Sequence, residues 1–207
     1  MKQDQPKHEP KQKRSELTKE KILDTSKKLF CEKGYYQIST NEIAKAANIS
    51  IGNLYFYYPN KETIFLDLLD RYHQSFLKIH NCFLDDVETW GDSPTHFLRQ
   101  VMNMIIENHE KSREFNREIQ ILSFSNPAVA QLLEKQQSKI EDTVSLYFEK
   151  CKDQLKVQDL EAAASITFTL INAVVDQIVF SKNRIHRDRL LTETVTAVNT
   201  YLFGFNE

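Results

Sequence analysis

The chain has 207 residues, 41% of them hydrophobic and 27% charged, with 27 Lys and Arg against 29 Asp and Glu. That composition excludes a wholly disordered polymer and suits one large domain, or a small domain joined to a larger one. Only 4 Gly and 5 Pro occur, too few to punctuate many short strands, so long helices are expected and an all-β sandwich is disfavoured.

The near-neutral total hides an asymmetry. Residues 1–61 hold twelve Lys and Arg against seven Asp and Glu, net +5, whereas residues 62–207 hold fifteen against twenty-two, net −7. A basic front points to a module for a polyanion ahead of a body with another task; a solvated basic tail would give the same split. Met1 to Pro10 lacks an apolar run, and the greasiest stretch, Leu170 to Phe180, is broken by Asn172 and Asp176. Neither export nor a membrane span is expected. The odd, widely spaced set Cys31, Cys82 and Cys151 fits reduced thiols in a cytoplasm.

Residues 1–16 are polar, with Pro6, Pro10 and the basic Lys2, Lys7, Lys11, Lys13 and Arg14, and read as a flexible arm. The arm either touches phosphates and a minor groove or serves as a solubility tail. Residues 17–61 read as three short helices. Ile22, Ser26, Leu29 and Phe30 recur at helical spacing between a Thr18 cap and a Gly34 stop. Thr40 or Ser39 caps a second helix with Ile43, Ala44 and Ala47 inward, and Asn48 takes the turn. Ser50 caps a third helix that reaches about Tyr58, where Pro59-Asn60 breaks the chain.

Residues 62–207 read as longer helices, giving an all-α chain of about nine. Phe65, Leu69, Tyr72, Phe76, Ile79, Phe83 and Val87 form one stripe that Gly91 ends. Ser93-Pro94 and Asn126-Pro127 are start signals, with a helix around Phe115, Ile119 and Leu122 between them. Val129, Leu133, Gln136, Ile140, Val144, Tyr147 and Cys151 are in phase on the next helix, and helices near Gln158 to Lys182 and Arg187 to Phe203 close the chain.

Two short helices joined at Ala47-Asn48-Ile49 form a helix-turn-helix pattern, in which the second helix lies in the DNA major groove. Chemistry singles out the same segment. Ser50 and Thr40 place hydroxyls at helix starts, where free N–H groups favour phosphate oxygens, or are ordinary caps. Gly52 removes a side chain where the helix would press on the groove. Asn53 either reads adenine bidentately or is a solvated amide. The segment Thr18 to Phe65 resembles the DNA-binding head of the TetR family of transcriptional regulators, through Phe30, Gly34, Ile43, Ala44, Ala47, Ser50, Gly52, Leu54, Tyr55, Tyr57, Pro59 and Lys61. The resemblance implies DNA contacts from Thr40, Ser50, Ile51, Gly52, Asn53, Tyr55, Phe56, Tyr57 and Lys61, and a core role for Tyr58. Asn48 stands where the family often has Gly, and Ile51 and Phe56 stand where it often has basic residues, so sequence preference does not carry over from relatives.

For the body the resemblance implies effector binding and dimerisation. Phe76, His80, Phe97, Met104, Phe115 and Phe168 are the candidate effector contacts, with Trp90, Met102, His109 and Phe124 as further aromatic or polarizable side chains. Phe168, Ile171, Val175, Val198 and Leu202 are the candidate dimer seam, because apolar residues occupy more of the last two helices than one core face needs. Gln158, Glu161, Ser165, Thr169, Asn172, Asp176 and Asn183 align on the remaining face, read as solvent-facing in preference to a ligand wall. His73 and His80 share a face, but no CxxC or HxxxH occurs, and neither GxGxxG, P-loop nor GxSxG is present. No metal, cofactor or enzymatic role is expected. The expected function is a homodimeric, ligand-released repressor on a pseudo-palindromic double-stranded DNA operator, responding to a small apolar effector, with apolar acids, acyl thioesters and lipophilic drugs unranked. A helical carrier or enzyme with a vestigial head, an activator, and a regulator controlled by a protein partner are the alternatives.

Overall fold

The structure, a computed structural model, describes residues 11–86 and 93–204. Expectations that fell on Met1 to Pro10, Val87, Trp90, Gly91 and Phe205, and on the side chains of Cys82 and Phe83, lie outside the described residues. The described chain is all-α, with nine α-helices and no strand among the described residues. It divides into two compact units, Met1–Asp70 and Arg71–Glu207.

The first unit contains α1 (Lys11–Lys33), a 3-10 turn (Tyr35–Gln37), α2 (Thr40–Ala46), α3 (Ile51–Tyr57) and the first turns of α4 (Lys61–Asp86). α1 starts earlier than the arm reading allowed. Thr18 is interior, its hydroxyl donating to Arg14 O at 2.9 Å, and no breaker follows Pro10, so residues 11–16 join the helix. Gly34 ends α1 with φ 86°, a left-handed conformation that glycine adopts without a Cβ clash. Beneath these helices Phe30, Tyr35 and Phe65 pack with ring centroids 5.3 to 5.9 Å apart, and Ile22, Ile43, Leu54 and Leu69 are fully buried around them. Ile64, Phe65, Leu68 and Leu69 belong to this core, which is why the division falls inside α4 after Asp70 and not at its start.

The second unit holds the rest of α4 with α5 (Pro94–Lys111), α6 (Arg113–Ser125), α7 (Pro127–Cys151), α8 (Leu160–Phe180) and α9 (Arg187–Phe203). The start signals act as the residue types dictate. Asn126 accepts from the N–H groups of Ala128 and Val129 with Pro127 in the first turn, and Asp159 accepts from Ala162 N. Ser93 precedes Pro94 but makes no side-chain capping bond. Gly204, at φ 71°, closes α9. α8 packs against α5, α7 and α9, and α5 also packs on α9. α8 is long and apolar enough, by length and composition, to cross a membrane, the one such helix among the described residues; 33% of that apolar window is buried in the body.

Candidate functional sites

The turn between α2 and α3 is built by Asn48. With Asn48 at φ 50°, its N–H donates to Lys45 O at 3.1 Å and the N–H of Ile49 donates to Ala44 O at 3.0 Å, the paired bonds of a Schellman ending. Asparagine tolerates this left-handed conformation better than most residues with a Cβ. Ser39 caps α2 in a capping box with Glu42, which settles the choice between Ser39 and Thr40. Ser50 caps α3 by accepting from Asn53 N at 3.1 Å, and Leu54, fully buried, seats the helix. The α3 register then turns the other side chains outward. Ile51, Gly52, Asn53, Tyr55 and Phe56 are exposed, Phe56 at 79%, and Tyr57 is half-buried beside it. A Cβ added at Gly52 would meet nothing within 4 Å, so no packing inside the chain demands a glycine there.

Two expected DNA contacts have further bonds within the unit. Thr40 Oγ1 and the Tyr55 hydroxyl lie 2.9 Å apart, joining the start of α2 to the middle of α3. Lys61 differs from expectation more strongly. Its ammonium donates to Tyr35 O at 2.8 Å and Ile38 O at 2.7 Å and sits 4.2 Å from the centre of the Tyr35 ring. Burial lowers its pKa, partly opposed by the Glu42 carboxylate. Two of its three donors tie down the backbone that leads into α2, a structural bonding that the phosphate-contact reading did not anticipate. Tyr58 is buried and donates to Asp67 Oδ2 at 2.7 Å, in keeping with its expected core role.

The second unit contains a cavity of about 560 Å³. α4 contributes Tyr72, His73, Phe76 and His80; α5 and α6 contribute Ile105, His109, Asn116 and Ile119. Leu133 and Ile140 of α7, and Phe168, Thr169, Asn172 and Asp176 of α8, complete its walls. A smaller space of about 50 Å³ shares His80, Ile105, Phe168 and Asn172 with it and is closed by Phe97, Tyr147 and Phe148. Of the expected effector residues, Phe76, His80 and Phe168 line the larger cavity and Phe97 lines the smaller. Met104 and Phe115 line neither. Met104 is exposed at 39%, and Phe115 is fully buried with its ring 6.0 Å from that of Tyr72.

The cavity also has a polar side. Thr169 and Asp176 are exposed, as the stripe reading expected, and Asn172 is half-buried; all three also border the cavity, the ligand-wall role that reading set second. The Tyr72 hydroxyl and His109 Nδ1 are hydrogen-bonded at 2.9 Å, and the hydroxyl accepts from Asn116 Nδ2 at 2.9 Å. Burial pushes the pKa of His80 and of His109 down to about 4, helped at His109 by His73, so both are neutral at pH 7. Asp176 is exposed at the cavity's edge, and the partial covering of its carboxyl by neighbouring helices raises its pKa.

The expected dimer seam also needs correction. Val175, Val198 and Leu202 are at most 2% exposed within the chain itself, so they are core. Ile171 is half-buried. Large apolar side chains that do face outward on α8 and α9 are Ile166, Leu170 and Tyr201.

Residues 22–68 match the family described as bacterial regulatory proteins, tetR family, and residues 93–202 match the tetracyclin repressor-like C-terminal domain. The uncharacterized HTH-type transcriptional regulator YuxN of Bacillus subtilis is 39% identical over 95 residues, a match covering 45% of this chain and 31% of that protein. The HTH-type transcriptional regulator QacR of Staphylococcus aureus is 22% identical over 163 residues, covering 76% of this chain and 84% of that protein. A crystal structure of a TetR-family regulator from Mesorhizobium loti superposes with a TM-score of 0.71 at 19% identity, covering 92% of this chain and 98% of that one.

Proposed function

Because this chain belongs to the TetR family of transcriptional regulators, we propose that it is a repressor that binds a pseudo-palindromic operator as a homodimer and releases it when a small, largely apolar effector fills the larger cavity. The observation that carries the reading is the outer face of α3. A short helix seated by Leu54 and capped by Ser50 turns Ile51, Asn53, Tyr55 and Phe56 to solvent around a glycine that nothing in the chain requires. Exposed aromatics beside a bare backbone suit a helix that presses into a groove. The base-reading role falls to Asn53, and the positioning of phosphates to Thr40, Ser50, Tyr55 and Tyr57.

α4 supplies Phe65 and Leu69 to the core of the first unit and Tyr72, Phe76 and His80 to the cavity of the second. A ligand that prefers one setting of this helix shifts the population between DNA-competent and incompetent forms. Moving that equilibrium from 1:99 to 99:1 takes about 5.5 kcal/mol of differential affinity. The homodimer is assigned to the outward face of α8 and α9 that bears Ile166, Leu170 and Tyr201.

Selecting bound fragments from random double-stranded DNA tests the reading. Recovery of an inverted repeat with two half-sites about one helical turn apart is the expected result. Recovery of no common motif, with binding that depends on charge alone, would overturn it.

A further inference from the structure

We infer that the effector of the larger cavity is a lipophilic organic cation, a protonated amine or a quaternary ammonium, whose charge meets the Asp176 carboxylate and whose apolar body lies against Tyr72, Phe76 and Phe168. The inference rests on the reading of this cavity as an effector site and adds the class of molecule it takes.

The argument starts from the charges around the cavity. Among its described lining residues Asp176 is the one carboxylate, and there is no lysine or arginine. The other titratable lining groups are Tyr72 and the imidazoles of His73, His80 and His109. Those of His80 and His109 are neutral at pH 7, since burial holds them down to about 4. An apolar acid or an acyl thioester with its phosphates would enter a space with a carboxylate and no fixed cation, losing hydration with no ion to replace it. A neutral ligand would gain no charge attraction from Asp176, which stands exposed at the cavity's edge. A cation gains that attraction.

The ring arrangement supports the same class. Tyr72 and Phe76 have centroids 5.0 Å apart, Phe76 and His109 4.6 Å, and His109 and Phe180 5.7 Å. These form a bank of ring faces and edges beside the carboxylate-bearing helix α8. Cations favour such faces most where water is excluded. The Tyr72 hydroxyl is already bonded to His109 and Asn116, so what Tyr72 offers a ligand is its ring. His80, 6% exposed, has a Nδ1 with no hydrogen-bond partner and lines both the larger cavity and the smaller one behind it. That atom waits for a polar group of the ligand, and the smaller space has room for an apolar branch.

Tetraphenylphosphonium and tetraphenylborate match each other in size and lipophilicity and differ in the sign of charge, so calorimetric titration of the full chain with each isolates the electrostatic part. The expected result is binding of the cation at least tenfold tighter than of the anion. Asp176→Asn, nearly the same shape, should weaken the cation tenfold or more and leave the anion unchanged or tighter. Equal or tighter binding of the borate to the wild type, failure of the phosphonium to bind at about 1 mM, or a phosphonium affinity indifferent to Asp176→Asn would each overturn the assignment. Operator affinity measured alongside separates the two claims. Asp176-dependent cation binding that leaves the operator complex intact sinks ligand release and keeps the cation site. Operator release by anionic or neutral compounds alone, unaltered by Asp176→Asn, sinks the cation site and keeps ligand release.

Discussion

The Tyr55 hydroxyl and Thr40 Oγ1 stand 2.9 Å apart across the helix-turn-helix. Either can donate, and the pair links the first residue of α2 to the solvent face of α3. Because it is exposed, the bond contributes about 1 kcal/mol or less to stability. On the proposed DNA-binding role, the pair holds two hydroxyls close enough for one phosphate to meet both. Tyr55→Phe and Thr40→Val should each leave the melting temperature nearly unchanged while weakening DNA affinity about equally on operator and scrambled sequence. A loss confined to one base position would instead make Tyr55 a base reader.

Gly52→Ala should stabilise the isolated protein by about 0.5 to 1 kcal/mol, since alanine is the better helix former and its Cβ meets open space. Operator affinity should fall, because the added methyl stands between the helix and the groove. Denaturant titration and operator binding are read on the same preparation. A stabilised protein with undiminished affinity would place Gly52 away from the DNA.

Lys61→Ala and Asn53→Ala should fail in different ways. Loss of the Lys61 bonds to Tyr35 O and Ile38 O leaves two carbonyls without that donor, at about 1 to 3 kcal/mol, so the head should melt earlier. The salt dependence of DNA binding should change little. Asn53→Ala should leave stability intact and relax preference at one operator position by about 1 to 3 kcal/mol. Competition among single-base operator variants checks the second, and uniform losses on every variant would demote Asn53 to a positioning residue.

Ile166→Glu and Leu170→Glu should give folded monomers, whereas Val175→Glu should not fold, because it buries an unpaired carboxylate in the chain's own core. Sedimentation of the wild type should return twice the chain mass. Helical, dimeric Ile166→Glu and Leu170→Glu proteins would move the interface off this face.

Stability should decline with acid before most carboxylates titrate. His80 and His109 have folded pKa values of about 4 against 6.5 as ordinary values, so between pH 6.5 and 4 the unfolded chain takes up protons that the folded chain refuses. Their contribution is complete above about pH 6.5 and is lost on the way down to about 4, on the order of 3 kcal/mol for each. Denaturant midpoints from pH 8 to 4.5 should show this slope, and His80 and His109 resonances that titrate near 6.5 in the folded protein would contradict it.

What the sequence determined by itself is whatever depends on neighbours along the chain. The caps at Ser50 and Asn126, the left-handed Asn48 and the stop at Gly34 are local choices between a residue and its nearest backbone groups. Spacing of three and four likewise exposed the stripes of Phe65, Leu69, Tyr72 and Phe76. The extension of α1 to Lys11 was hidden because a polar, exposed helix carries no stripe to read.

Tertiary structure alone decided which partner each side chain found. Lys61 reads as a surface cation until Tyr35 and Ile38, distant in sequence, bring their carbonyls to it. Val175 and Ile166 are equally apolar, and only the packing of α8 against α5, α7 and α9 separates core from outward face. Asp176 lies on a polar stripe that is solvent-facing, as its pattern says; only the placement of four other helices makes that residue also a border of a cavity. Periodicity states that a helix has faces. What each face meets depends on where the other helices go, and that information is spread over the whole chain.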